Sequence, residues 1–163
     1  MPVYDQKGCL LGEVCDICIA DNGNVTSLII KRKGFFQKLY SLSLDQVITF
    51  GSRAIVIQDS EYLTKYKEAQ NEYTMCHYQP IAQNYTISGR GEELGLLEDV
   101  YFQEEMGKII GYELTDGFFS DMSEGKRVIQ SVYPPKFGKD AIIVTVNQCQ
   151  GGDRPNEVPE LSK

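Results

Sequence analysis

One histidine, His77, serves a chain of 163 residues. No Ser/His/Asp or Cys/His/acid grouping occurs at a recognisable spacing, so nucleophilic catalysis has little to draw on. No catalytic residue is expected, and no enzyme. A phosphate-binding loop is missing too: Gly8-x-x-x-Gly12 lacks the Lys-Ser/Thr of a P-loop. No cofactor is expected. No stretch approaches the roughly 18 apolar residues of a membrane span. The opening Met1-Pro2-Val3-Tyr4-Asp5 lacks the basic and apolar regions of a signal peptide, which makes a cytoplasmic location the expectation. Five cysteines do not make a disulfide framework when their number is odd and their spacing irregular; free thiols are expected. Basic excess is also lacking. The formal net charge of −7 argues against a general nucleic-acid binder. Residues 1–75 carry 8 Lys/Arg and 9 Asp/Glu, whereas residues 76–163 carry 8 and 14, so the acidity belongs to the second half.

What is present is a repeat. Gly8-x-x-Leu11-Gly12-x-Val14-x-Asp16-Ile17 returns 83 residues later as Gly91-x-x-Leu94-Gly95-x-Leu97-x-Asp99-Val100. The apolar runs Val25 to Ile30 and Ile109 to Leu114 follow in step. So do Gly34-Phe35-Phe36 and Gly117-Phe118-Phe119, and each copy closes with Gly-x-x-Ala and three aliphatics, at Gly51 and at Gly138. The offset drifts only from 83 to 87, which small insertions in turns explain. Two copies of one small module are implied, residues 1–75 and 76–150. Modules of this size bury limited surface and are marginal alone, so the two are expected to pack on each other. Features shared by both copies read as scaffold: Gly12, Gly95, Gly34, Phe35, Phe36, Gly117, Phe118 and Phe119 as turn and core residues.

Local signals are β. Short Val, Ile, Leu, Phe and Tyr runs alternate with Gly, Asn and Asp turns, which predicts an all-β fold. Asp21-Asn22-Gly23-Asn24 reads as a hairpin turn. Val14 lies on one strand parity, Ile17 and Ile19 on the other, and Leu97, Val100 and Phe102 repeat the switch. A bulge at or next to Asp16 and Asp99 is predicted, bending the strand as a small barrel requires. Either carboxylate can be read as catalytic. The plainer alternative is that each accepts hydrogen bonds from N–H groups freed at the bulge. Between the copies, Tyr62, Tyr66, Ala69 and Tyr73 share one helical face, which predicts a short linker helix over about 60–73. The tail 151–163, with Gly151-Gly152, Pro155 and Pro159, is predicted to be disordered.

Two features invite a functional reading. Cys15-Asp16-Ile17-Cys18 is a C-x-x-C, and Cys76-His77 could complete a thiol-based metal or redox site with it. The matching positions in the second copy are Glu98 and Tyr101, so the module itself does not need thiols there, and no metal is expected. The sharper asymmetry surrounds the shared Gly-Phe-Phe. Copy one has Lys31-Arg32-Lys33 before it and Lys38 after it; copy two has Asp116 and Asp121. Scaffold should not change sign. Lys31, Arg32, Lys33 and Lys38 are therefore the candidate partner-binding residues, for another protein, RNA or an anionic surface. The alternatives are a solvated loop, or one packed against the acidic second copy.

Pro2-Val3-Tyr4-Asp5, Leu11-Gly12-Glu13-Val14, Ile110-Gly111-Tyr112-Glu113-Leu114-Thr115-Asp116-Gly117 and the closing Gly-x-x-Ala motifs resemble the PRC-barrel domain. That family is named for the cytoplasmic domain of the photosynthetic reaction centre H subunit, and includes the C-terminal domain of the ribosome maturation factor RimM. The resemblance covers about residues 2–58 and 85–146 and is closest to stand-alone bacterial two-copy proteins. It implies two small bent β-barrels used as a protein-binding adapter, and it offers no catalytic residues. The partner's identity and the oligomeric state, a homodimer included, are left open.

Overall fold

Hairpin turns and bulges, more than strand propensity, position the elements of this chain. The structure, a computed structural model, describes residues 1–32, 38–115, 127–131 and 133–146. Its strands are β1 (Pro2–Asp5), β2 (Leu10–Ala20), β3 (Val25–Lys31), β4 (Leu39–Ser43), β5 (Val47–Phe50), β6 (Ile55–Ile57), β7 (Thr64–Lys65), β8 (Glu72–Thr74), β9 (Tyr85–Ser88), β10 (Glu93–Phe102), β11 (Ile109–Thr115), β12 (Arg127–Ile129), β13 (Lys136–Phe137) and β14 (Ala141–Val144). The fold is all-β. Gly34, Phe35, Phe36, Gly117, Phe118, Phe119 and the tail 151–163 lie outside the described residues.

The repeat is a repeat of topology. The first sheet runs β5-β6-β1-β2-β3-β4-β7, with β8 also against β2. Read from its β13 edge, the second runs β13-β14-β9-β10-β11-β12, which matches the first six strands one for one. Each module has one parallel pair, β1 with β6 and β9 with β14. The predicted bulges are present. In β2 the register shifts between Val14 and Asp16 and again between Cys18 and Ile19; in β10 it shifts between Leu97 and Asp99 and between Tyr101 and Phe102. Such shifts bend a strand and switch the face it buries, giving the barrel-like curl.

Turns repeat where the residues do not. Gly8 N–H donates to Asp5 C=O at 3.0 Å and Gly91 N–H to Ser88 C=O at 2.9 Å. The Asp5 carboxylate accepts from the N–H groups of Lys7 and Cys9. The Ser88 hydroxyl accepts from Arg90 and Glu92. A carboxylate and a hydroxyl thus brace the same turn, because the turn needs only an acceptor at that point. The Gly-x-x-Ala motif is one contact: Gly51 N–H to Ala54 C=O and Gly138 N–H to Ala141 C=O, both 2.9 Å.

The predicted linker helix is not there. Asp59 caps a single 3-10 turn, Ser60–Tyr62, by accepting the Glu61 N–H; β7 and β8 follow. Tyr40 pairs with Lys65, and Cys18 with Thr74. Backbone pairing along exposed sheet edges supplies here what an isolated helix of this length cannot, since short helices are marginal in water. Leu63, rather than the tyrosines, anchors the segment in the core at 7% exposure.

Two buried clusters form the interior. Val3, Leu28, Ile30, Leu42, Ile55 and Ile57 fill the first module. The second cluster joins Leu97, Tyr112, Leu114, Ile142 and Val144 to Ile19, Val25 and Met75 of the first half. Ile17, Leu44 and Phe102 touch both clusters, so the modules share one continuous seam. Val25 N–H donates to Gly107 C=O at 2.7 Å, docking one hairpin on the other. At Gly107 φ is +66°, and a Cβ would fall 2.0 Å from the Val25 carbonyl oxygen, so this contact requires glycine. Tyr73 packs on Phe137 with ring centroids 4.6 Å apart.

Candidate functional site

The basic end of the first module is built by three neighbouring strands. β3 ends at Lys31, and the Arg32 N–H donates to Lys38 C=O at 3.4 Å, drawing the two sides of the loop together. The Arg32 guanidinium lies 5.2 Å from the Tyr40 ring centroid, a cation–π contact that lays the charge along β4. Across from Tyr40 stands Lys65 of β7. Lys31, Lys38 and Lys65 are exposed. The structure thus brings together three of the four predicted residues; Lys33 lies outside the described residues. Lys65 was missed because the tyrosine spacing assigned it to a helix. The available signal was Thr64 and Tyr66 around it, both strand-favouring types.

The same geometry bears on the idea that this loop packs on the acidic half. β3 starts at the seam with Val25 and runs 7 residues to Lys31. At about 3.3 Å per residue the basic end stands roughly 20 Å from the docked hairpin. Among the described residues no ion pair joins Lys31, Arg32 or Lys38 to the second module.

Asp16 is a buried clasp. Its Oδ1 accepts the N–H groups of Ile17 (2.8 Å) and Met75 (2.9 Å). Its Oδ2 accepts those of Cys76 (2.9 Å) and His77 (3.0 Å), and His77 Nδ1 lies at 2.5 Å. The bulge supplies the Ile17 N–H, as the residue pattern predicts. The other donors come from about 60 residues away, and nothing in the local sequence announces them. Charge-assisted bonds of this kind are the strong ones, and here they tie the first module to the segment that enters the second.

His77 Nδ1 and the Cys76 backbone are committed to Asp16. Burial pushes the Cys18 thiol up to about 11. Cys15 and Cys76 are also raised, first by burial and then by the Asp16 charge. Burial and the Asp16 charge thus favour the protonated form of these thiols. Cys15 Sγ donates to Ile29 C=O at 3.4 Å. Among the described residues no group of three or more His, Cys, Asp or Glu is placed to hold a metal.

Of the two predicted scaffold glycines within the described residues, Gly12 lies against β3, where a Cβ would come within 2.7 Å of the Lys31 carbonyl oxygen. Gly95 has φ +131°. At the seam a shallow groove of about 300 Å³ is lined by Asn22, Asn24, Met106, Lys108, Tyr133 and Pro135 among others. Among the described residues its ionisable lining is Lys108 and Tyr133. No helix of the described structure is long and apolar enough to cross a membrane.

Comparison with known proteins agrees with the topology. The profile of the PRC-barrel domain matches twice, over residues 1–65 and 85–148. The uncharacterized protein YrrD of Bacillus subtilis (strain 168) is 35% identical over 133 residues, spanning 79% of this chain and 73% of that protein.

Proposed function

From the premise that the chain belongs to the PRC-barrel family, in tandem form, we propose that it is a non-enzymatic adapter. In this reading it binds an acidic protein surface through Lys31, Arg32, Lys33, Lys38 and Lys65, and works in the cytoplasm within an RNA-processing or membrane-associated assembly. One observation carries the reading. Strands β3, β4 and β7 collect basic side chains at the end of the first module that faces away from the seam. Glu13 of β2 stands across from Lys31, and Arg32, Lys38 and Lys65 are the basic groups this end holds beyond that opposite-charge pair. Interspersed aromatic groups such as Tyr40 suit protein recognition, where aromatics and arginine are enriched.

The test is capture under native conditions with wild-type protein and with the Lys31→Glu, Arg32→Glu, Lys65→Glu variant. The adapter reading expects a partner retained by the first and lost by the second, with both proteins equally folded. A partner held equally by both would move the binding site off the basic end.

A further inference from the structure

Among the described residues, the two most exposed large apolar side chains stand in one groove. Met106 is 69% exposed and Tyr133 64%. Both line the groove at the seam, together with Asn22, Asn24, Lys108 and Pro135. Single apolar residues on a surface are ordinary, whereas a cluster rimmed by polar groups marks an interaction site.

The groove lies where the two equivalent hairpin turns meet. Asn24 pairs with Lys108, and the Val25 N–H donates to Gly107 C=O. Its far wall is held as well. A Cβ on Gly23 would fall 2.4 Å from Pro135 Cδ, so that turn closes tightly on the proline segment. The Ser131 hydroxyl donates to Tyr133 C=O at 2.7 Å. Carboxylates come from both turns: Asp21 precedes Asn22, Glu104 and Glu105 precede Met106, and all three residues are exposed. Against them stand Lys108 in the lining and Lys136 beside Pro135, so the rim holds more carboxylates than ammonium groups.

We propose that this groove docks the basic end of a second copy of the chain. The inference rests on the adapter reading of Lys31, Arg32, Lys38 and Lys65, and makes the acidic partner the protein itself. Charge complementarity selects this occupant. Residues 76–163 carry 14 Asp/Glu against 8 Lys/Arg, and the cationic surplus of the first module is gathered where β3, β4 and β7 end. Within one chain the two surfaces stand apart by the length of β3, roughly 20 Å. Between two chains they can meet. Arg32, already laid along the Tyr40 ring, then reaches Tyr133 and Met106, and the lysines face the carboxylates of the turns. Two different patches form the contact, so it is heterologous.

Sedimentation velocity over a concentration series, at low and at physiological ionic strength, tests this with three full-length proteins. They are the wild type, the Lys31→Glu, Arg32→Glu, Lys65→Glu variant and a Met106→Ser, Tyr133→Ser, Glu105→Lys variant. The altered side chains are exposed, apart from the half-buried Arg32, and thermal midpoints of dilute protein check that each variant is folded. The wild type is expected to self-associate, more tightly at low salt. Each variant alone should associate at least tenfold more weakly. An equimolar mixture of the two variants should recover association, because it still holds one intact basic end and one intact groove. A wild type that stays monomeric throughout, or a mixture as weak as its components, overturns the inference. If that monomeric protein still captures an acidic partner through its basic end, only this inference falls and the adapter reading stands.

Discussion

Asp16 and Asp99 form an experiment built into one chain. The first lies beneath several N–H donors and the second on the surface, with the same local geometry. Asp16→Asn turns one acceptor oxygen into a donor facing buried N–H groups, and should cost about 3–5 kcal/mol, the scale for breaking a buried charge-assisted network. Asp99→Asn should stay within about 0.5 kcal/mol. Urea midpoints compare the two directly, and equal losses would show that the clasp does not hold the modules together. A second pair is Val3 and Thr86, which share a register position beside Ile55 and Ile142. Both are fully buried, but among the described residues the Thr86 hydroxyl has no hydrogen-bond partner. Thr86→Val should stabilise the protein by about 1 kcal/mol, because it removes an unsatisfied polar group without changing shape. A destabilised variant would mean that the hydroxyl has a partner after all. The Cys18 thiol carries a pH prediction. Burial raises it to about 11 in the fold, above the ordinary thiol value of 9.0. Protonated thiol is favoured in the fold, so stability is complete below pH 9 and declines as pH rises through about 11. Cys18→Ala should flatten that part of the curve.

Elements explain both the success and the failure of sequence reading. The hairpin at Asp21–Asn24 and the two bulges were legible because turn chemistry and side-chain parity are local signals. The linker was not, because Tyr62, Tyr66 and Tyr73 fit a helical face while the sheet edges they meet lie elsewhere in the sequence. Strand β7 exists only because β4 offers it an edge at Tyr40 and Ser41. Gly107 shows how such long-range contacts are enforced. Its φ of +66° resembles the +82° of Gly8, but a Cβ at Gly8 would meet open space, while one at Gly107 would strike the Val25 carbonyl. Gly8→Ala should therefore cost about 1 kcal/mol, the strain of a left-handed residue, and Gly107→Ala clearly more. Denaturant midpoints measure both, and equal losses would place the docked hairpins outside the stabilising contacts of the seam.

At the scale of the whole molecule, the seam makes two marginal modules one body, and it sets the direction of the charge. Among the described residues the basic end of β3 lies a strand's length from the hairpin contact at Val25, whereas composition shows only a difference in charge between the halves. The sequence pointed to Lys31, Arg32 and Lys38 because the second copy served as a control. It could not point to Lys65, whose place depends on a strand pairing. At this scale the proposal is that the basic end captures an acidic partner. The direct measurement is the association rate of the captured partner with wild-type protein and with the Lys31→Glu, Arg32→Glu, Lys65→Glu variant, from low salt to physiological ionic strength, where the Debye length is about 8 Å. A wild-type rate that falls steeply with salt is expected, with a variant that is slower at low salt and nearly insensitive to it. Equal rates with equal salt dependence would contradict it.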